Sequence, residues 1–155
     1  MFTQTGFDNL AYSRQQALQL FRNSEFWGRW HKWLSRITRC PASLPSLEAA
    51  GESQGVIDRH YAGIQVVPLE NICGSEGRPS DFDNNFRPTD ERTMQRWINV
   101  AQARLEGKVL PPVELIQVGD DYFVRDGHHR ISVAHALGEA YIDAEVTVWR
   151  PQQFQ

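Results

Sequence analysis

Apolar residues recur near every third or fourth position toward the start of the chain, at Ala17, Leu20, Phe21, Trp27, Trp30, Leu34 and Ile37. That period predicts helix over residues 8–38. Asn23-Ser24 interrupts it, so two helices are expected, with Ser24 as the second N-cap. Residues 40–55 hold two prolines, two glycines and three serines and read as a linker. The compact domain is expected from Val56. Gly63–Leu69 reads as a strand through Ile64, Val66 and Val67, and Asn71–Pro88 as a long polar loop. Thr89 is a candidate N-cap, with Asp90 and Glu91 at the favourable end of the dipole. Met94, Trp97, Ile98, Ala101 and Leu105 then share one helix face, and Gly107 ends it. Val113–Val118 and Tyr122–Arg125 form a hairpin around Gly119-Asp120-Asp121. A short helix over His129–Leu137 stops at Gly138, and Asp143–Trp149 is a last strand. The order β, α, ββ, α, β predicts a small α+β mixed-sheet domain behind an N-terminal helical arm, divided as 1–39, 40–55 and 56–155.

Composition narrows the class. A chain of 155 residues, 41% hydrophobic and 23% charged, suits one globular domain with a small appendage. The net charge of −3 is unevenly placed: residues 1–39 carry six Lys/Arg against Asp8 and Glu25 (+4), and the remainder carries −7. A basic arm on an acidic body implies either a nucleic-acid contact or packing of the arm on the body. Six cations make a small electrostatic footprint, which favours packing. Trp27, Trp30 and Trp33 are spaced as a stripe that covers the body or a second subunit, a homodimer contact, in preference to base stacking. Cys40 and Cys73 read as free thiols in a reducing compartment. The longest stretch without Asp, Glu, Lys or Arg is His60–Leu69, too short to span a bilayer. Met1–Gly6 has neither a basic nor an apolar signal region, so a soluble cytoplasmic protein without membrane contact is expected.

Chemistry concentrates at Asp126-Gly127-His128-His129-Arg130, between a strand and a short helix. Gly127 lets the backbone approach a ligand. The amides of His129, Arg130 and Ile131 are expected free at the helix start, where the dipole adds positive charge. Arg130 supplies a fork for phosphate oxygens. His128 and His129 add donors or move a proton near neutral pH. Asp126 could orient a histidine, hold a magnesium or position a hydroxyl. The plainer alternative is that Asp126 caps the helix and the histidines are merely exposed. No HExxH pair, CxxC, G-x-S-x-G, Walker loop or G-x-G-x-x-G is present, so no protein-held metal is expected.

The run Leu110–Gly138, with the upstream strand Val66-Val67-Pro68-Leu69-Glu70-Asn71-Ile72, resembles the ParB N-terminal and sulfiredoxin-like superfamily over residues 60–149. That resemblance implies a nucleotide-binding α+β fold. ParB proteins bind CTP triphosphate at a corresponding G-E-R-R box, and sulfiredoxins hold ATP phosphates beside the cysteine of G-G-C-H-R. Free-serine kinases use a D-G-H-H-R-like box for phosphoryl transfer. By resemblance, Gly127, His129 and Arg130 take the phosphate positions. His128 stands where sulfiredoxin has its cysteine, which argues against sulfinic-acid repair. A following helix-turn-helix is not found, so DNA partitioning is not expected.

The loop 71–88 is expected to face the box, with Glu76 as a base on the kinase pattern. Arg78 and Arg87 would be extra phosphate contacts. The leading expectation is therefore binding of ATP, ADP or CTP with Mg²⁺, and phosphoryl transfer or hydrolysis using His128, Asp126 and Glu76. On that view Arg130→Ala abolishes binding and spares the fold. The alternatives are a ParB-like DNA-binding protein, nuclease or regulator acting through residues 1–39, and a non-catalytic ligand- or partner-binding module.

Overall fold

The structure, a computed structural model, describes residues 4–38, 46–47, 56–77 and 81–151. Cys40, Arg78 and nearly all of the expected linker lie outside the described residues. Helix α1 spans Gln4–Thr38 without a break, about 52 Å at 1.5 Å per residue. The expected division at Asn23-Ser24 does not occur. Asn and Ser cost only tenths of a kcal/mol inside a helix, and packing overrides so small a preference. The packed face holds Ala17 and Phe21, both buried. At Gly28 a β-carbon would sit 2.7 Å from the Pro88 carbonyl oxygen, so a glycine is what lets the helix lie this close to the body.

The body is one five-stranded sheet: β1 (Val56–Pro68), β2 (Ile72–Ser75), β3 (Val113–Val118), β4 (Asp121–Asp126) and β5 (Tyr141–Pro151). Its spatial order is β1-β5-β3-β4-β2. β1/β5 and β3/β4 are antiparallel, while β3/β5 and β2/β4 are parallel, so the sheet is mixed. Helix α2 (Met94–Leu105) and helix α3 (His128–Ala136) cover one face. The α+β expectation is met, and the hairpin at Gly119 forms where expected.

Packing proceeds in layers. Ile131 and Ala134 of α3 join Val67, Leu115, Val124 and Val146 in the main core. On its outer side, Val133 meets Trp97, Ile98 and Ala101 of α2, and these meet Ala17 and Phe21 of α1. Phe21 and Trp97 stack edge-to-face at 5.5 Å. Trp97 Nε1 donates to Ser132 Oγ at 2.8 Å, which satisfies its buried N–H. The basic arm thus packs on its own body through its first half. The opposite sheet face buries Leu47, Ile116, Phe123 and Trp149.

The polar loop expected at Asn71–Pro88 is in large part core. It contains β2, and Phe82 and Phe86 are both buried in the main cluster. Asp83 is buried too, where its carboxylate accepts from the amides of Asn85 (2.9 Å) and Arg87 (2.8 Å). Thr89 is not the cap. Asp90 caps a 3₁₀ turn at Glu91–Thr93, accepting from the Arg92 amide, and α2 follows.

Candidate functional site

Strand β4 delivers the box and α3 receives it. Between them Gly127 adopts φ 100°, in the left-handed region. A β-carbon there would lie 2.6 Å from Val113 Cγ1 and 3.2 Å from Arg130 Nε. The turn therefore needs glycine for conformation and for space. Asp126 does not cap α3; its Oδ2 accepts from Arg130 Nη2 at 2.8 Å.

Arg130 differs from the expected free fork. Its Nη1 donates to the carbonyls of Pro111 (2.6 Å) and Pro112 (2.7 Å), and its side chain is only 17% exposed. The guanidinium ties the segment before β3 to the first turn of α3. Ile131 also departs from expectation. Its amide donates to the Gly127 carbonyl at 3.0 Å as the first helical bond, and its side chain is fully buried. It is not open to a ligand.

A cleft of about 470 Å³ opens at this junction. Arg96, Arg125, Asp126, Gly127, His128 and Arg130 line it, with His129 beside them. The sequence reading missed Arg96. It projects from the exposed face of α2, and a lone arginine there carries no local signature. The cationic lining and the N-terminus of α3 reinforce one another electrostatically.

Both box histidines are buried, contrary to the exposed alternative. Phe82 stacks on His128 at 6.0 Å and meets His129 edge-on at 5.4 Å. The loop thus does face the box, through an aromatic ring. His128 Nε2 lies 2.6 Å from Ser75 Oγ, a second residue the sequence did not mark.

Glu76 stands beside the cleft, where its Oε2 accepts from Arg125 Nε at 3.0 Å. Arg87 does not line the cleft. It faces Asp83 at 3.9 Å, near His135, whose ring stacks on Phe86. Burial pushes His135 below the usual imidazole range, against the opposing pull of Asp83 and reinforced by Arg87. Burial, with Asp121 nearby, raises the Cys73 thiol, which makes it a poor nucleophile. Among the described residues no three His, Cys, Asp or Glu side chains cluster as metal ligands. No described helix is long and apolar enough to cross a membrane.

Neither a protein-family model nor a curated protein matches the chain. Among solved structures, sulfiredoxin from Arabidopsis thaliana is similar at 24% identity over 54% of this chain and 82% of that chain, with a TM-score of 0.37.

Proposed function

We propose that the cleft between α2, β4 and α3 binds a nucleoside polyphosphate (ATP, ADP or CTP with Mg²⁺) and supports phosphoryl transfer or hydrolysis. The observation that carries this reading is the meeting of Arg96, Arg125 and Arg130 with Gly127 and the α3 N-terminus on one cleft. Arginines and oriented amides are the groups that bind phosphate. Among the described residues no carboxylate cluster is placed to hold a cation, so Mg²⁺ would be held chiefly by the phosphate oxygens. Bound there, it would neutralise phosphate charge.

The roles of the protein groups follow from their present partners. Arg96 and Arg125 are the phosphate contacts. Arg130 holds the floor of the site through Pro111, Pro112 and Asp126. A phosphate that takes Arg125 releases Glu76, whose carboxylate then accepts the proton of an incoming hydroxyl. A cytoplasmic location suits this reading, since nucleotides are abundant there.

A thermal-shift panel tests it, with ATP, ADP, CTP, GTP and plain phosphate, each with and without Mg²⁺. The wild type is expected to gain stability with at least one nucleotide, and Arg96→Ala and Arg125→Ala to lose that gain while folded. No shift with any nucleotide overturns the reading.

A second reading concerns α1. Phe26, Trp27 and Trp30 are 62%, 53% and 46% exposed, beside Arg22 and Arg29. An apolar, basic patch of this kind suits a partner, either nucleic acid or a second copy of the chain. Mass in solution and nucleic-acid titration at two salt concentrations separate the two; a monomer that binds no nucleic acid removes both.

A further inference from the structure

Strand β1 is the outermost strand on its side of the sheet and is 13 residues long. Its side chains alternate between the two sheet faces. Val67 points into the main core, while Ile64 and Val66 lie on the other face at 63% and 66% exposure. Tyr61, 62% exposed, joins them, because a slip in register between Tyr61 and Gly63 returns it to the side of Ile64. Glu145 pairs with Ile64 across β1/β5 and with Glu114 across β5/β3. Two exposed carboxylates thus stand side by side along an apolar strip, an arrangement that works against the pairing of the strands. Among the described residues no ion pair engages either one. Arg59 shares this face further along the ribbon, where its guanidinium lies 4.1 Å over the Trp149 ring.

The other side of the molecule carries the complement. Helix α1 lies outside α2, on the helix-covered face of the sheet. Arg22, Phe26 and Arg29 follow one another at four and three positions, so they share one outward stripe, with Trp27 beside it. Arg29 meets Glu25 of its own helix at 3.6 Å, and Arg22 has no ion pair among the described residues. The stripe is apolar and basic; the β1/β5 strip is apolar and acidic. They sit on opposite sides of the sheet and cannot meet within one copy.

We propose that the chain associates head to tail with a second copy, the α1 stripe of one docking on the β1/β5 strip of the other. Arg22 and Arg29 then meet Glu114 and Glu145, while Phe26 and Trp27 cover Tyr61, Ile64 and Val66. Two different surfaces make the contact, so it is heterologous and each copy offers one of each. A nucleic acid would also answer the arginines of α1, but it would be repelled by the acidic strip and leaves that strip without a partner. This contact rests on the exposed α1 patch described above, narrows its partner to this chain, and is independent of the polyphosphate cleft.

The experiment is sedimentation of the full chain over a range of concentrations at two salt concentrations. Two charge-reversed variants accompany the wild type: Arg22→Glu with Arg29→Glu, and Glu114→Arg with Glu145→Arg. The wild type is expected to self-associate, and less so at high salt. Each variant by itself sets like charges against one another and is expected to weaken association at least about tenfold. An equimolar mixture of the two is expected to regain it, because every contact between unlike copies again joins opposite charges. Melting temperatures show that each variant is folded. If the strip variant does not fold, Ile64→Ser with Val66→Ser takes its place and is expected to weaken association in the same way. A wild type that stays monomeric overturns the proposal together with the second-copy reading of α1. Self-association that persists in a folded strip variant, or a mixture that stays monomeric, overturns the head-to-tail contact alone and leaves α1 to meet another surface of a second copy.

Discussion

Gly127 and Val113 approach so closely that a single added carbon on the glycine would lie 2.6 Å from Val113 Cγ1. The contact joins the start of β3 to the start of α3 beneath the cleft. Gly127→Ala is therefore expected to cost about 2–4 kcal/mol, part from the left-handed backbone and part from the clash. Chemical denaturation measures it. A loss under about 0.5 kcal/mol would show that the turn relaxes freely.

Arg130→Ala is expected to lower stability by about 2–3 kcal/mol, because two carbonyls and a carboxylate lose their charged donor. Such a loss would disturb the scaffold together with the cleft, which makes the substitution a poor test of binding. Arg130→Lys should recover little, since a single ammonium does not reproduce the planar fork. Arg96→Ala, on an exposed position, is expected to change stability by no more than about 0.5 kcal/mol and to weaken nucleotide binding roughly tenfold or more. Denaturation and calorimetric titration of the same three variants separate scaffold from contact.

His135 gives a pH dependence of stability. Its imidazole is depressed in the folded protein, so the unfolded chain binds its proton more readily. The contribution is complete above the unfolded value of about 6.5 and is lost as pH falls from there toward the folded value. Stability is expected to decline through this window in the wild type and to decline less in His135→Phe. Melting temperatures across the range check it, and parallel curves for both proteins would remove His135 as the cause.

Phe21→Ala is expected to cost about 3–5 kcal/mol, since it opens a cavity against Trp97. Removing residues 1–38 would strip the cover from Trp97 and Ala101 and unsettle the body. The outward residues are separable. Phe26→Ser with Trp27→Ser and Trp30→Ser is expected to keep the melting temperature within a few degrees and to abolish any self-association or nucleic-acid binding. Unchanged solution mass and binding would clear this face of a partner role.

Much of this molecule is legible in its residues. Trp97, Ile98 and Ala101 repeat at helical spacing, and they are the buried face of α2. The strand–glycine–helix junction at 126–130 is readable because glycine before a short helix has a local meaning. Phe82 and Phe86 were hidden because each stands alone among Asp and Asn, where no period betrays a buried ring. The Asn23-Ser24 break failed because a weak local preference yields to the packing of Ala17, Phe21 and Gly28. Arg96 reaches the cleft, and Ser75 reaches His128, only through tertiary pairing. Ser75 arrives by the parallel alignment of β2 with β4, which no short window of sequence encodes.

Strand β2 holds its neighbour through three aligned pairs, with a slip in register between Ile72 and Gly74. The β1/β5 ribbon at the other edge runs through eleven aligned pairs. Hydrogen exchange should reflect this inequality, with β2 amides exchanging through small local openings long before the ribbon's do. Ser75 and Glu76 ride on the looser edge. An opening of β2 would carry Ser75 and Glu76 away from the box while the β4–α3 junction that bears Arg125, Gly127 and Arg130 stays in place.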